Sequence, residues 1–134
     1  MSADVITAFI AGVWNGNEPA GSYLHPEFTD HSLPPELPRD AEGTSRWIAL
    51  TSESFRHRTV IEDRVTEGDK TILRITLHLR HIGTWRGIPP TGKEVSIPGY
   101  RMFRVRDGKI IEHRALIAGD TLEKRLREAT GGFP

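Results

Sequence analysis

The sequence contains no cysteine. That absence excludes disulfides, thiolate nucleophiles and every metal site built on sulfur. Long apolar runs are missing too. The longest, Ala8 to Trp14, is interrupted by Gly12, whereas a membrane span needs about 20 residues. Asp4 and no basic residue precede the first hydrophobic stretch, so the N-terminus does not read as a signal peptide. The expected location is the cytoplasm, with no membrane attachment. Neither sign of charge is in excess: 18 Lys+Arg balance 18 Asp+Glu. A chain without a basic field does not attract phosphate backbones, and nucleic acid is not expected as a partner. There is no glycine-rich phosphate loop, no Gly-x-Ser-x-Gly elbow and no dinucleotide fingerprint. The metal-binding spacings His-x-His and His-Glu-x-x-His are absent as well, and no metal site is expected.

What is present fits one globular unit. The chain of 134 residues is 37% hydrophobic and 27% charged, which predicts a single domain over 1–134 with one core and room for a pocket. Ser2 can cap a helix in which Val5, Phe9, Gly12 and Val13 share a face, with Ile6 and Ile10 alongside; Asn15-Gly16-Asn17 stops it. Glu18 to Leu24 can form a second short helix, closed by His25-Pro26. Phe28 to His31 reads as extended. The proline clusters Leu33–Pro38 and Ile88–Gly92 read as loops. Thr44 or Ser45 can cap a helix to about Phe55, with Trp47, Leu50, Thr51 and Ser54 on one side.

Strands fill the rest. Thr59–Glu67 is β-rich, and Gly68-Asp69 marks a turn. From Thr71 to Ile82, Leu73, Ile75, Leu77 and Leu79 alternate with Arg74, Thr76, His78 and Arg80, a clear period of two. Val95–Val105 and Lys109–Ala118 follow, and a last helix runs from Thr121 to Ala129 and ends at Gly131-Gly132. Helices first and long strands after predict an α+β domain, with the helices folded over a curved antiparallel sheet to enclose a pocket.

The last hairpin decides which side chains look inward. A two-residue turn at Asp107-Gly108 sets Phe103 opposite Glu112 and Arg101 opposite Arg114, placing like charges together. A three-residue loop instead pairs Val105 with Lys109, Phe103 with Ile111, Arg101 with His113 and Gly99 with Ala115. That register gathers Phe103, Val105, Ile111, Ala115 and Ile117 on one face, and it is the expected one. It leaves Arg101 and His113 on the apolar face. Either a carboxylate reaches this arginine or the face opens onto a wet pocket.

His81 continues the apolar face of its strand, as a hydrogen-bonded core residue or a pocket group. Asp30-His31 is an exposed turn pair or part of the same pocket. Trp47 and Trp85 are core aromatics or flat walls for a planar ligand. A small cone with His, Arg and Asp pointing inward suits proton transfer and oxyanion stabilisation on a carbonyl compound.

Three segments resemble the SnoaL-like polyketide cyclase family. They are Tyr23-Leu24-His25-Pro26-Glu27-Phe28, Arg80-His81-Ile82-Gly83 with Gly87-Ile88-Pro89-Pro90-Thr91-Gly92, and Phe103 to His113 through Arg106-Asp107-Gly108-Lys109. The resemblance runs over nearly the whole chain. It implies a nuclear-transport-factor-2-like cone, a homodimer or higher homo-oligomer, and an aromatic polyketide of the anthracycline type as the small-molecule partner. The family's cyclases close a ring by intramolecular aldol condensation without a cofactor, using an aspartate where this chain has Ala115. Their pocket histidine is Arg101 here, and a pocket asparagine is Asp30. Alanine transfers no proton, so the resemblance points to the branch linked with metal-free hydroxylation of the polyketide. On that reading Arg101, His113 and Asp30 are the catalytic set, and His31, Trp47, His81, Trp85, Phe103 and Ala115 contact substrate. No cofactor is tightly bound, and external NAD(P)H has a route in through a partner reductase. The competing readings are a cyclase with a relocated acid/base and a non-catalytic polyketide binder.

Overall fold

The computed structural model describes residues 2–128, with side chains from residue 5 onward. The side chain of the expected cap Ser2 is not among those described, and the helix end at Ala129 to Gly132 lies outside the described residues. Helix α1, Ser2–Phe9, runs into a π-helical turn, Ile10–Trp14. The wider turn inserts an extra residue and brings Val13 and Trp14 inward together with Ile10. Asn15 then ends the helix, its N–H donating to the Ile10 carbonyl at 2.9 Å. The Asn15 side chain acts as a peptide mimic: Thr59 N–H donates to Oδ1 at 2.8 Å, and Nδ2 donates to the Thr59 carbonyl at 2.9 Å.

The second short helix shrinks to the single turn Ala20–Ser22, because strand β1, Leu24–Asp30, takes the following residues. Pro26 is tolerated there because β1 is an edge strand. Helix α2, Ala41–Ser54, starts earlier than expected: Asp40, not Thr44 or Ser45, accepts from Gly43 N–H at 3.0 Å. Gly43 permits this close start, since a Cβ there would stand 1.7 Å from the Pro38 carbonyl oxygen.

Strands β2 (Phe55–Glu67), β3 (Lys70–His81), β4 (Glu94–Arg106) and β5 (Lys109–Ile117) form a long antiparallel meander, and helix α3 spans Gly119–Arg127. The sheet order is β1-β5-β4-β3-β2. β1 joins β5 in parallel, so the sheet is mixed rather than wholly antiparallel. This edge pairing sets Asp30 beside His113. Helix α1 packs on β5, α2 on β1 and β2, and α3 on β4. Ile6, Phe9, Leu73, Ile75, Ile97 and Phe103 form the centre of the core beneath them.

The hairpin register differs from the expected three-residue loop. Asp107 and Gly108 both have positive φ, 54° and 74°, which is a two-residue turn. A β-bulge then shifts the register between Arg104 and Val105: Val105 pairs with Ile110, whereas Arg104 pairs with Glu112. The extra residue removes the like-charge objection, because Arg101 now faces Ala115 and Phe103 faces His113. Both Ile110 and Ile111 are buried as a result. Arg101 and His113 keep their inward orientation by a different route.

On the outer face of the sheet Ile72, Tyr100 and Leu116 are exposed, Leu116 at 76%. Sedimentation at micromolar concentration is expected to show a dimer through this face, and Leu116→Glu is expected to give a monomer.

Candidate active site

Between the helices and the inner sheet face lies a cavity of about 430 Å³. Its walls are largely aromatic and aliphatic: Trp14, Trp47, Phe55, Trp85, Leu77 and Ile97. Each wall residue follows from strand or helix period. Phe55 and His57 alternate inward on β2, Leu77 and Leu79 on β3, and Ile97 and Arg101 on β4.

One buried cation, Arg101, enters this apolar space, and the half-exposed Arg86 lies at its side. Arg101 is only 5% exposed. Its guanidinium carbon lies 4.6 Å from the centre of the Trp14 ring, and Nη1 donates to His113 Nε2 at 3.2 Å. Nε has no hydrogen-bond partner. No carboxylate forms an ion pair with it among the described residues. Burial lowers its pKa to about 10, opposed by the charge of Asp30, so it stays cationic at neutral pH. Desolvating such an ion costs several kcal/mol. A cation–π contact worth about 2 kcal/mol does not offset that alone. The cavity is therefore arranged to attract an anion.

Behind Arg101 stands a fixed support. His113 Nδ1 meets Asp30 Oδ2 at 2.9 Å. Asp30 Oδ1 accepts from Ser32 N–H at 3.0 Å and from Ser32 Oγ–H at 2.8 Å. The partners define the tautomer: a carboxylate on Nδ1 requires N–H there, and the Arg101 donor on Nε2 requires a lone pair. His113 is thus neutral. Its pKa is lowered first by burial and then by Arg101, against the opposing hydrogen bond to Asp30. For Asp30, burial raises the pKa, but the hydrogen bonds from His113 and Ser32 outweigh it and hold the value at about 2.

This arrangement separates the residues proposed from sequence. Arg101, Trp47 and Trp85 line the cavity. Asp30, His113 and Phe103 do not: they surround a small void behind it, and Phe103 is fully buried against Phe9 and His113. Asp30 and His113 are placed to hold Arg101 rather than to reach a ligand. His31 pairs with Glu112 at 2.9 Å, away from the cavity lining. His81 is fully buried off the lining, its Nδ1 accepting from Thr91 N–H at 3.1 Å. Ala115 sits opposite Arg101 across the β4–β5 pair, and its N–H donates to Ser32 Oγ at 3.0 Å.

Sequence reasoning missed Trp14, His57 and Arg86. Trp14 is carried inward by the π-helical turn, which leaves no mark in a regular helical period. His57 was masked because β2 begins at Phe55, four residues ahead of its expected start at Thr59; the alternation of Phe55, His57 and Thr59 is its signal. Arg86 stacks 4.5 Å over Trp85 and bonds Asp120 at 3.0 Å and Glu123 at 2.9 Å. It ties the loop after β3 to α3 across one side of the cavity.

Comparison with known proteins agrees with this architecture. The family model described as SnoaL-like polyketide cyclase matches residues 4–126. Aklanonic acid methyl ester cyclase DnrD of Streptomyces peucetius is 31% identical over 94 residues, 69% of this chain and 63% of that protein. Nogalonic acid methyl ester cyclase of Streptomyces nogalater is 33% identical over 94 residues, 69% of this chain and 67% of that protein. The chain thus spans less than two thirds of the length of the first of these relatives. Among solved structures, IdmH from Streptomyces antibioticus superposes with a TM-score of 0.78 at 27% identity, covering 94% of this chain and 98% of that one.

Both pKa shifts behind Arg101 make stability fall on acidification. The unfolded chain protonates His113 below its ordinary 6.5 while the folded chain resists. The contribution of Asp30 is complete above 3.8 and is lost as pH falls towards about 2. Urea unfolding across this range is expected to show both declines. Asp30→Asn is expected to cost roughly 1–3 kcal/mol at pH 7 and to flatten the lower one.

Proposed function

Because this chain belongs to the SnoaL-like polyketide cyclase family, with that family's α+β, nuclear-transport-factor-2-like fold, we propose that it tailors an aromatic polyketide of the anthracycline type by holding it as an anion. The observation that carries this reading is the buried Arg101 guanidinium, without an ion-pair partner among the described residues, against Trp14 in a cavity walled by aromatic rings. Flat rings between Trp47 and Trp85 match a planar ligand. A phenolate or enolate oxygen at Arg101 gains a charge-assisted hydrogen bond where water is scarce.

Of the two fates open to that anion, hydroxylation is the one we assign. Ala115 stands opposite Arg101 and offers no proton for aldol closure. An electron-rich polyketide anion is open to attack by dioxygen. One oxygen atom enters the ring, the other leaves as water, and the two electrons required come from NAD(P)H through a partner reductase. Ring closure is the second reading. It is favoured by the relatives named as methyl ester cyclases, and it needs an acid/base elsewhere in the cavity.

The experiment is incubation with aromatic polyketide methyl esters, with and without a reductase-bearing extract and NAD(P)H. A product heavier by one oxygen atom is expected; a product of unchanged mass with a new ring would replace this reading by the cyclase one. Tryptophan fluorescence quenching without any product would leave a binder. Arg101→Ala is expected to lower turnover by about 10²-fold or more. Asp30→Asn is expected to keep most of it, because Asp30 acts only through His113.

A further inference from the structure

Two arginines border the cavity, and they differ in what surrounds them. Arg101 lies deep and has no carboxylate paired with it among the described residues. Arg86 lies at the mouth, its side chain 42% exposed, and has two. Its position is fixed from several sides. Trp85 to Ile88 form a two-residue turn, closed by Trp85 N–H on the Ile88 carbonyl at 3.0 Å and by Ile88 N–H on the Trp85 carbonyl at 2.8 Å. Arg86 and Gly87 both take positive φ in it, 50° and 75°, a backbone that few residues other than glycine and asparagine adopt. The turn sets the guanidinium over the Trp85 ring, 4.5 Å from its centre. Nη1 donates to Asp120 at 3.0 Å and to Glu123 at 2.9 Å. Nη2 carries no hydrogen bond among the described residues and lies beside Gly119, where a Cβ would stand 3.0 Å from it. Trp85 and Gly119 are themselves cavity walls. A staple for α3 needs the two ion pairs, but it does not need a free donor held at the cavity mouth.

The acids cancel the charge of Arg86. Glu123 also takes Arg127 Nε at 3.1 Å, so two arginines face two carboxylates and this side of the mouth is neutral as a whole. No Asp or Glu lines the cavity itself among the described residues. Arg86 thus offers a hydrogen bond without a net positive charge, whereas Arg101 offers both.

We propose that Arg86 is a specificity residue of this cavity: it reads an uncharged carbonyl at the mouth, and Asp120 and Glu123 cancel its charge so that a second negative group is turned away. The proposal rests on the reading of the cavity as a site for an aromatic polyketide, and it narrows the substrate class. The ligand is a planar phenol with one ionised oxygen, held deep at Arg101, and a ketone, ester or amide at the opposite end. A carboxylate at that end meets two carboxylates already paired with the guanidinium, and like charges brought together reject a ligand. Arg86 makes and breaks no covalent bond in this role.

The test uses two probes of one shape. Both are dihydroxyanthraquinones; on the ring edge away from the phenols, one carries a carboxylate and the other its acetyl isostere. All 3 tryptophans of the chain line the cavity, so quenching of their fluorescence reads binding. The wild type is expected to prefer the acetyl probe by about tenfold at low salt, and added salt is expected to shrink that preference. Asp120→Asn combined with Glu123→Gln frees the charge of Arg86, and the preference is expected to vanish. Either single substitution is expected to remove part of it, which keeps the test decisive if the double variant does not fold. Arg86→Met is expected to weaken the acetyl probe about fivefold, as loss of one hydrogen bond does. A preference that none of these variants moves overturns the proposal; that is the result a plain staple for α3 would give, since its loss weakens both probes alike. A wild type that binds both probes equally overturns it too and leaves the polyketide reading standing. If the wild type binds neither probe, the polyketide reading fails and this assignment falls with it.

Discussion

A single buried cation organises the inner face of this sheet. Arg101 sits among apolar side chains on β4, and three separate parts of the chain are shaped to keep it there. The π-helical turn presents Trp14 beneath its guanidinium. β5 presents His113 as an acceptor. β1, running parallel to β5, presents the carboxylate that fixes the His113 tautomer. The negative charge of Asp30 is one residue removed from the cation. It stabilises Arg101 through space without forming the close ion pair that would saturate it. The charge stays available on the cavity side.

That arrangement explains why the polar residues divide into two layers. Asp30, Ser32 and His113 form a hydrogen-bonded layer behind the cavity wall, and Arg101 is the point at which this layer meets the ligand space. His57 lies against the same Trp14 ring from β2. One indole thus borders both the Arg101 cation and the His57 ring. The far wall is tied differently. Ser54 accepts from Ile82 and Gly83 N–H and donates to the Thr84 carbonyl, and Arg86 then links the following loop to α3. The end of α2 and the start of α3 therefore hold Trp85 in place as a ring-sized wall.

Much of the fold was legible because strand alternation is a short-range signal. Leu73 to His81 alternate inward without exception, and burial follows that pattern residue by residue. The hairpin was read less well. Like-charge pairing argued against a two-residue turn, and a bulge answered the objection by adding one residue to β5. Bulges leave no periodic trace, since they break the period they sit in. The site divides along the same line. Arg101, Trp47 and Trp85 were visible as polar or aromatic residues at inward positions. Trp14 and His57 were not, because one depends on an irregular helical turn and the other on where α2 gives way to β2.

The amino-acid order by itself determined the α+β class, the four long strands, the inward placing of Arg101 and His113, and the absence of an acid at Ala115. These follow from local period, composition and resemblance, which act over a few residues at a time. Only the tertiary structure decided which inward residues share a space. Asp30 and His113 lie 83 residues apart in the chain and meet through a parallel edge pairing. That pairing places them behind Arg101 rather than beside a ligand. Which side of a wall a group occupies depends on long-range packing of helices against the sheet, and no local pattern encodes it.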